Sequence, residues 1–298
     1  MVVIFSSLVA LFVAAFIVDT AGAGVQRWKS VKKTTVVGFF AQDLAETNET
    51  TFDYLTFREI TSNFGLLDKF RVPGLEERND RDHAPWKKFK EAIEKLNKKS
   101  PKNTAYKVLY LARHGEGYHN VAESFYGTPL WDCYWSLLDG NGTSRWDDAE
   151  LTPKGIEEAK KASAAFKDQV KAKFPLPDIY YSSPLSRAAS TLEITWGNIT
   201  LSGHNAAKPI FKEPLQGFRE TIGIHTCDRR NTKTWLHKKY PSFTFEGDFV
   251  EVDKLWDPAW REPNEVRNRR ASDALNEIFA DTSDTFISIT AHSGAITR

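Results

Sequence analysis

Sulfur-containing residues are scarce in this chain. Its 298 residues include two cysteines, Cys133 and Cys227, and one methionine. This number of cysteines excludes a disulfide-rich scaffold and a zinc site of four cysteines. It leaves one disulfide open, because sequence separation does not tell whether the two thiols meet. The spacing of His225, Cys227 and His237 fits no standard zinc site, so we expect these residues to serve loop packing and the protein to bind no metal ion.

An excess of charge of either sign is also missing. The chain has 40 Lys and Arg residues against 39 Asp and Glu residues, a formal net charge of +1. Nucleic-acid and membrane-surface partners usually require a basic excess, so we expect neither. Hydrophobic residues make up 41% of the chain, which is ordinary for a globular protein with a full core. Any cationic binding site must therefore be local.

Long apolar runs are absent beyond the N-terminus. Residues 2–18 form a nearly continuous apolar run of the length found in the hydrophobic part of a signal peptide. Small residues at Ala21 and Ala23 suit cleavage after Ala23, although no basic residue lies near Met1. We predict that residues 1–23 are a signal peptide and that the protein is secreted without stable insertion into a membrane. A single N-terminal membrane anchor or an intracellular location is the alternative.

Export would also expose the chain to glycosylation. Asn48, Asn141 and Asn198 each begin an Asn-x-Thr sequence, the acceptor for N-linked glycans. One such tripeptide arises easily by chance, whereas three of them favour a secreted glycoprotein.

Residues 24–105 are predicted to form an N-terminal extension that packs on the core. Within it, residues 35–40 have the composition of a short strand. Residues 85–99 predict an amphipathic helix, because apolar residues recur there at helical spacing between lysines. The main domain is predicted over residues 106–298, where the pattern changes.

Three segments of the main domain predict strands. Residues 106–112 are a compact apolar run typical of a buried strand, and residues 177–182 and 286–291 are predicted as the second and third strands. Helices are expected between them. One of these helices is predicted to begin with Thr152 as its N-cap and Pro153 at its first position. Strands that alternate with helices indicate an α/β fold, a three-layer α/β/α sandwich with a mostly parallel sheet.

Each predicted strand is followed by a cationic or titratable side chain. Arg113 and His114 follow the first strand. Arg187 lies in the turn after the second strand, and His292 follows the third. Because ligands bind at the carboxyl ends of parallel strands, neighbouring strands would bring these side chains together. Arginines bind phosphate oxygens and keep a nearby histidine neutral, so the pattern predicts a dianion pocket in which an imidazole attacks phosphorus.

Five short motifs lie in order along this domain. They are Arg113-His114-Gly115-Glu116 followed by Asn120, Leu151-Thr152-Pro153-Lys154-Gly155, Ser182-Ser183-Pro184-Leu185-Ser186-Arg187, Arg219-Glu220 and Ala291-His292-Ser293-Gly294. Their order and spacing resemble the histidine phosphatase superfamily, which has the phosphoglycerate mutase-like fold. The first motif continues through Gly117, Tyr118 and His119, and in this form it is most similar to that of fungal and plant phosphomutase-like proteins.

The resemblance implies a role for each matching residue. His114 would be the nucleophile that becomes phosphorylated. Glu220 would protonate the leaving oxygen and then activate water, although an ion pair with Arg219 or with an arginine of the pocket is its alternative role. The phosphate-binding residues would be Arg113, Asn120, Arg187 and His292, and His292 would also take part in catalysis. No cofactor is implied.

The sequence thus predicts a phosphatase that hydrolyses small phosphate monoesters through a phosphohistidine. A phosphoglycerate-type phosphomutase and a non-catalytic phosphate-binding module are the alternatives. We expect the N-terminal extension, the loop-rich residues 121–150 and residues 221–265 to select the substrate. Within the last segment, Asp228, Arg229 and Arg230 either contact substrate from a loop over the pocket or form a surface ion-pair cluster. The family fold usually continues past the second histidine, whereas six residues follow His292 here, as in a domain truncated at its C-terminus.

Overall fold

One mixed sheet forms the centre of the protein. The computed structural model describes residues 9–17, 32–45, 47, 63–72, 75, 84–211, 217–247 and 249–296. The strands in these ranges are β1 (Val9–Ile17), β2 (Lys32–Thr35), β3 (Thr104–Arg113), β4 (Ile179–Ser182), β5 (Ile210–Phe211), β6 (Thr244–Phe245) and β7 (Phe286–Ala291). Their order in the sheet is β2-β1-β3-β7-β4-β5-β6. The strands β3, β7, β4, β5 and β6 run parallel to one another. β1 pairs antiparallel with both of its neighbours, β3 and β2.

Helices cover both faces of this sheet. They are α1 (Pro85–Lys99), α2 (Tyr118–Tyr126), α3 (Thr128–Cys133), α4 (Pro153–Lys171), α5 (Ser186–Trp196), α6 (Lys233–Lys239), α7 (Asn264–Asp281) and α8 (Ser293–Ile296). Tyr110 and Tyr180 pack in an apolar cluster with α1, α4 and α5. Their strand neighbours Leu109 and Tyr181 pack in a second cluster with α7. Because alternate strand residues face opposite sides of a sheet, these are two separate layers, and the predicted three-layer α/β/α sandwich is confirmed.

The three strands predicted in the main domain lie side by side. β7 pairs in parallel with β3 on one side and with β4 on the other. All six residues of β7 are buried, as expected for a central parallel strand covered on both faces. The register pairs Arg113 with Ala291 and Ser182 with Thr290. The three strands therefore end at the same edge of the sheet.

Two helices match their predicted starts. In α4, Pro153 takes the first position, and the Thr152 hydroxyl oxygen accepts a hydrogen bond from the Gly155 N–H at 3.1 Å. This cap satisfies one of the free N–H groups at the start of the helix. Helix α1 buries Trp86, whose indole N–H donates to the side chain of Gln169 in α4 at 2.7 Å. The described part of the N-terminal extension thus packs directly on the main domain.

Two predicted segments differ from the structure. β2 includes only the first residue of the strand expected at residues 35–40, because Gly38 has a φ of +101°, which turns the backbone out of the extended conformation.

Residues 121–150, predicted as loop-rich, include most of α2 and all of α3. Their aromatic residues form a small core of their own, in which Trp131 and Trp146 are buried. Burial of these rings stabilises helices that are too short to show a clear apolar period.

The N-terminal predictions are only partly within the described residues. β1 lies in the segment predicted as a signal peptide and pairs antiparallel with β3. The cleavage site expected after Ala23 lies outside the described residues, as does Asn48, whereas Asn141 and Asn198 are exposed. The signal peptide, secretion and glycosylation stay predictions. In the ranges that the structure describes, no helix has both the length and the apolar character needed to cross a membrane.

Candidate active site

His114 lies immediately after β3, at the edge where the three central strands end. Its backbone N–H donates to the carbonyl oxygen of Ala291 in β7 at 3.1 Å, which links the two strand ends. The side chain is 4% exposed. Its ring centroid lies 5.0 Å from the ring centroid of His292. The structure therefore brings together the two histidines that the sequence placed at strand ends.

Hydrogen bonds define which nitrogen of His114 is available. Nδ1 lies 2.7 Å from the carbonyl oxygen of Gly115. A carbonyl oxygen only accepts, so Nδ1 carries the proton and Nε2 carries a lone pair. That lone pair accepts a hydrogen bond from Nε of Arg187 at 3.3 Å. Nε2 is thus the nucleophilic atom, and it faces a cationic group.

The surroundings of His114 keep its ring neutral. Burial lowers the pKa of His114 well below its usual range, and the positive charges of Arg187 and Arg113 lower it further. Both effects act against the imidazolium form, because each raises the free energy of a positive charge at this position. The neutral ring retains the lone pair that a nucleophile needs.

Arg187 is oriented by a buried carboxylate. It lies in the first turn of α5 and is fully buried. Its Nη1 donates to the carbonyl oxygen of Cys227 at 2.6 Å, and its Nη2 donates to Asp228 at 2.9 Å. Asp228 also pairs with Arg261 at 2.9 Å. Burial alone would raise the pKa of Asp228, but the two arginines outweigh it and hold this pKa below its ordinary value.

The structure divides the three residues predicted to contact substrate or to form a surface ion-pair cluster. Asp228 is 3% exposed and its carboxylate oxygens bond to Arg187 and Arg261, so it lies below the surface and positions Arg187. Arg229 pairs with Asp139 at 2.8 Å at the surface, whereas Arg230 is buried. Contact of these residues with a substrate stays a prediction. The sequence did not show the pairing of Asp228 with Arg187, because it depends on how α5 and a distant segment of the chain fold together.

His292 follows β7 and is fully buried. Its Nε2 lies 2.8 Å from the hydroxyl of Ser183, and that hydroxyl accepts a hydrogen bond from the N–H of Leu185 at 3.3 Å. This hydroxyl can also donate to Nε2, and in that arrangement the ring proton of His292 lies on Nδ1. Nδ1 is buried and has no hydrogen-bond partner among the described residues. With the proton there, Nδ1 would be a donor for a bound anion.

Arg113 and Glu220 lie beside the two histidines. Nε of Arg113 is buried without a partner in the described part of the chain. Burial lowers the pKa of Arg113, and the negative charge of Glu220 opposes that effect. Glu220 accepts hydrogen bonds from the N–H groups of Thr221 at 3.0 Å and Gly294 at 3.2 Å. Glu220 is thus held next to the turn that follows His292.

The structure separates the two ion pairs suggested as an alternative role for Glu220. Arg219, its neighbour in sequence, is fully buried and pairs with Asp253 at 2.7 Å. Glu220 pairs with Arg267 at 3.9 Å. An ion pair with a neighbouring arginine is thus present beside the backbone hydrogen bonds, and the catalytic role of Glu220 stays a prediction.

Asn120 has a structural contact of its own. Its side-chain oxygen accepts a hydrogen bond from the N–H of Gly117 at 2.9 Å, at the start of α2. This contact uses the carboxamide oxygen and leaves the NH₂ group as a donor. The predicted hydrogen bond from Asn120 to phosphate stays a prediction.

The cysteine region does not provide a metal site. His225, Cys227 and Asp228 place one donor atom each within 4.8 Å of one another. However, Asp228 already binds two arginines, and burial raises the pKa of the Cys227 thiol well above its usual range, which keeps it protonated. A cation would meet two guanidinium groups at this position. Cys133 is exposed and Cys227 is buried, and both are free thiols, so the disulfide that the sequence left open is not formed.

Sequence reasoning missed one neighbour of His114, the imidazole of His119. It lies on α2 and is buried, and its ring centroid lies 5.4 Å from that of His114. Its place in the first motif, directly before Asn120, was the available signal. The two histidines and two arginines predicted from the strand ends form a set suited to binding a dianion and attacking it from His114 Nε2.

Comparisons with known proteins show which proteins this chain is similar to. A sequence model described as the histidine phosphatase superfamily (branch 1) matches residues 135–298. A probable phosphoglycerate mutase of Arthroderma benhamiae is 41% identical, over 89% of this chain and 77% of that protein. A probable phosphoglycerate mutase of Saccharomyces cerevisiae is 35% identical, over 79% of this chain and 83% of that protein. Among solved structures, an alpha-ribazole phosphatase from Shigella flexneri is similar with a TM-score of 0.37 and 18% identity, over 63% of this chain and 75% of that one.

Proposed function

Because this chain belongs to the histidine phosphatase superfamily, we propose that it hydrolyses small phosphate monoesters through a phosphohistidine on His114. The observation that carries this proposal is the state of the His114 ring. Nδ1 is hydrogen-bonded to the carbonyl oxygen of Gly115, and Nε2 has its lone pair next to the guanidinium groups of Arg187 and Arg113. A neutral imidazole in that setting is a nucleophile for phosphorus.

In the first step, the lone pair of His114 Nε2 forms a bond to phosphorus while the bond from phosphorus to the ester oxygen breaks. The Nε–H of Arg187 donates to Nε2 in the free site. It turns to a phosphoryl oxygen as the substrate enters, which uncovers the lone pair. Arg113 and His292 donate to phosphoryl oxygens and stabilise the charge in the transition state. Glu220 gives its proton to the leaving oxygen.

In the second step, a water oxygen attacks phosphorus and the bond to His114 breaks. The electron pair returns to Nε2, Glu220 accepts a proton from the water, and inorganic phosphate leaves. The hydrogen bonds that hold Glu220 against Thr221 and Gly294 support this role, because they keep its carboxylate beside the strand ends. The same residue thus serves as acid and then as base.

A phosphomutase is the second candidate. The relatives from Arthroderma benhamiae and Saccharomyces cerevisiae are both named probable phosphoglycerate mutases. In a mutase, the phosphoryl group on His114 returns to a bound sugar acid, so the enzyme has to be primed by a phosphorylated sugar acid. We favour the phosphatase because transfer to water needs no feature beyond the pocket itself. A mutase must also exclude water and hold its substrate in two orientations.

Phosphate release from a generic aryl phosphate tests the proposal. The purified protein is assayed without added metal at mildly acidic and at neutral pH, beside His114→Ala. We expect turnover by the wild type and none by the variant, while His237→Ala, which changes an exposed histidine on α6, keeps full activity. Turnover that requires a phosphorylated sugar acid would favour the mutase. Phosphate binding by a folded protein without any turnover would favour a non-catalytic binding module.

A further inference from the structure

His119 has an unusual environment for a buried histidine. It lies near the N-terminus of α2 and is 9% exposed. Nδ1 is buried and has no hydrogen-bond partner within the described ranges. Buried polar atoms are nearly always hydrogen-bonded, because an unpaired one loses its contacts with water and gains nothing in return. The missing partner therefore requires an explanation.

The local backbone is arranged to accommodate this ring. A Cβ on Gly117 would lie 2.7 Å from Nδ1 of His119 and 2.8 Å from its Cε1. Any other residue at position 117 would force the ring out of its position. The loop between β3 and α2 thus leaves room for the imidazole against the pocket that contains His114.

The groups that act on the pKa of His119 are guanidinium and imidazole groups. After burial, Arg187, His114, Arg113 and His225 all act against a positive charge on its ring. A neutral imidazole carries its proton on one nitrogen only. With the proton on Nδ1, an anion bound beside His114 would supply the acceptor that this nitrogen lacks.

We propose that His119 is a third imidazole of the phosphate pocket and that its Nδ1–H donates to an oxygen of the phosphate group of the substrate. This inference rests on the proposed function, since it assigns a further ligand to the same substrate group. The ring centroid distances of 5.4 Å from His114 to His119 and 5.0 Å from His114 to His292 place both histidines next to the nucleophile. A phosphate attached to His114 would therefore lie close to both rings.

Binding of inorganic phosphate and of vanadate, measured by titration calorimetry on the full chain, tests this inference. The variants are His119→Ala and His119→Asn, because the side-chain amide nitrogen of Asn occupies about the same position as Nδ1 of His. We expect His119→Ala to weaken phosphate binding by about 10- to 100-fold, the effect of losing a hydrogen bond to a charged group. His119→Asn should recover most of that loss. The matched control His204→Ala, at an exposed histidine, should bind like the wild type.

Two results would overturn the inference. One is phosphate binding by His119→Ala within about twofold of the wild type. The other is equal weakening in both His119 variants together with an equal drop in melting temperature, which would mean that the ring only fills space. Hydrolysis of an aryl phosphate is measured on the same samples, so that the two proposals are separated. A wild type that binds phosphate through His119 but hydrolyses nothing would contradict the phosphatase and leave this inference standing.

Discussion

The guanidinium of Arg187 contacts the ring of His114 on one side and the carboxylate of Asp228 on the other. Replacement by Ala removes a donor to the transferring group, so we expect kcat/KM to fall by about 10²- to 10³-fold. The same change also breaks the buried ion pair between Arg187 and Asp228. Asp228 then keeps one partner, Arg261, on its other oxygen. Loss of one partner from such a pair costs about 3–5 kcal/mol of unfolding free energy. Kinetics with an aryl phosphate and denaturant unfolding measure the two effects.

A second variant separates chemistry from stability. Arg187→Ala combined with Asp228→Asn removes the buried charge that the single change would leave partly unpaired. We expect this double variant to recover stability but not activity. If it folded normally and hydrolysed substrate at nearly the wild-type rate, Arg187 would have no part in phosphoryl transfer.

Individual site residues differ in how far the sequence reveals them. The positions of Arg113, His114 and His292 followed from the predicted strands before them, because parallel neighbouring strands end at one edge of a sheet. Asp228 could not be assigned in this way, since its contact with Arg187 is a tertiary contact between α5 and a distant segment of the chain. His119 was missed because its motif drew attention to the adjacent Asn120, and only the structure shows that the ring of His119 lies 5.4 Å from that of His114.

Helix α4 packs its first turn against the loop that carries His114. A Cβ on Gly155 would overlap the carbonyl oxygen of Glu116 and lie 2.8 Å from its backbone nitrogen. We therefore expect Gly155→Ala to displace this loop and to lower kcat/KM by about 10- to 100-fold, the range expected for misplacement of a reacting group by about 1 Å. Ala is a better helix former than Gly, so propensity alone would predict a more stable protein.

The matched control for Gly155→Ala is Gly247→Ala. A Cβ on Gly247 would meet no atom within 4 Å, so this change should leave the kinetics unaffected. Steady-state kinetics and melting temperatures of both variants give the comparison. Wild-type kcat/KM in Gly155→Ala would show that contact between α4 and the loop does not position His114.

Elements were predictable where local signals and burial agree. The N-cap Thr152 and Pro153 marked the start of α4, and the composition of residues 286–291 marked β7 as a strand. Helices α2 and α3 were not predicted, because they are short and their aromatic residues contact one another instead of forming a periodic stripe. The short strands β5 and β6, each of two residues, carry too little pattern to be recognised.

The pocket also sets how the stability of the whole molecule depends on pH. Burial first, and then positive neighbours, lower the pKa values of His114, His119 and His292 well below the ordinary value. The unfolded chain therefore binds protons at these residues before the folded protein does. It follows that the free energy of unfolding is retained above about pH 6.5 and falls as the pH is lowered below that value, by up to about 1.4 kcal/mol per pH unit for each histidine.

Urea unfolding at a series of pH values between about 7.5 and 4.5 checks this dependence. We expect the slope below about pH 6.5 to be smaller in His119→Asn than in the wild type, because one buried titrating group is removed. The comparison of slopes cancels the contribution of carboxyl groups, which both proteins share. Identical slopes in the two proteins would show that His119 titrates in the folded state as it does in the unfolded chain.

The most direct test of the account is to locate the phosphoryl group during turnover. The protein is mixed with an aryl phosphate, quenched with alkaline denaturant because phosphohistidine is labile in acid, digested and analysed by mass spectrometry. The account predicts phosphate on the peptide that contains His114, more of it in Glu220→Gln because attack by water is slowed, and none in His114→Asn. Turnover with no phosphate on His114, or activity that persists in His114→Asn, would contradict it.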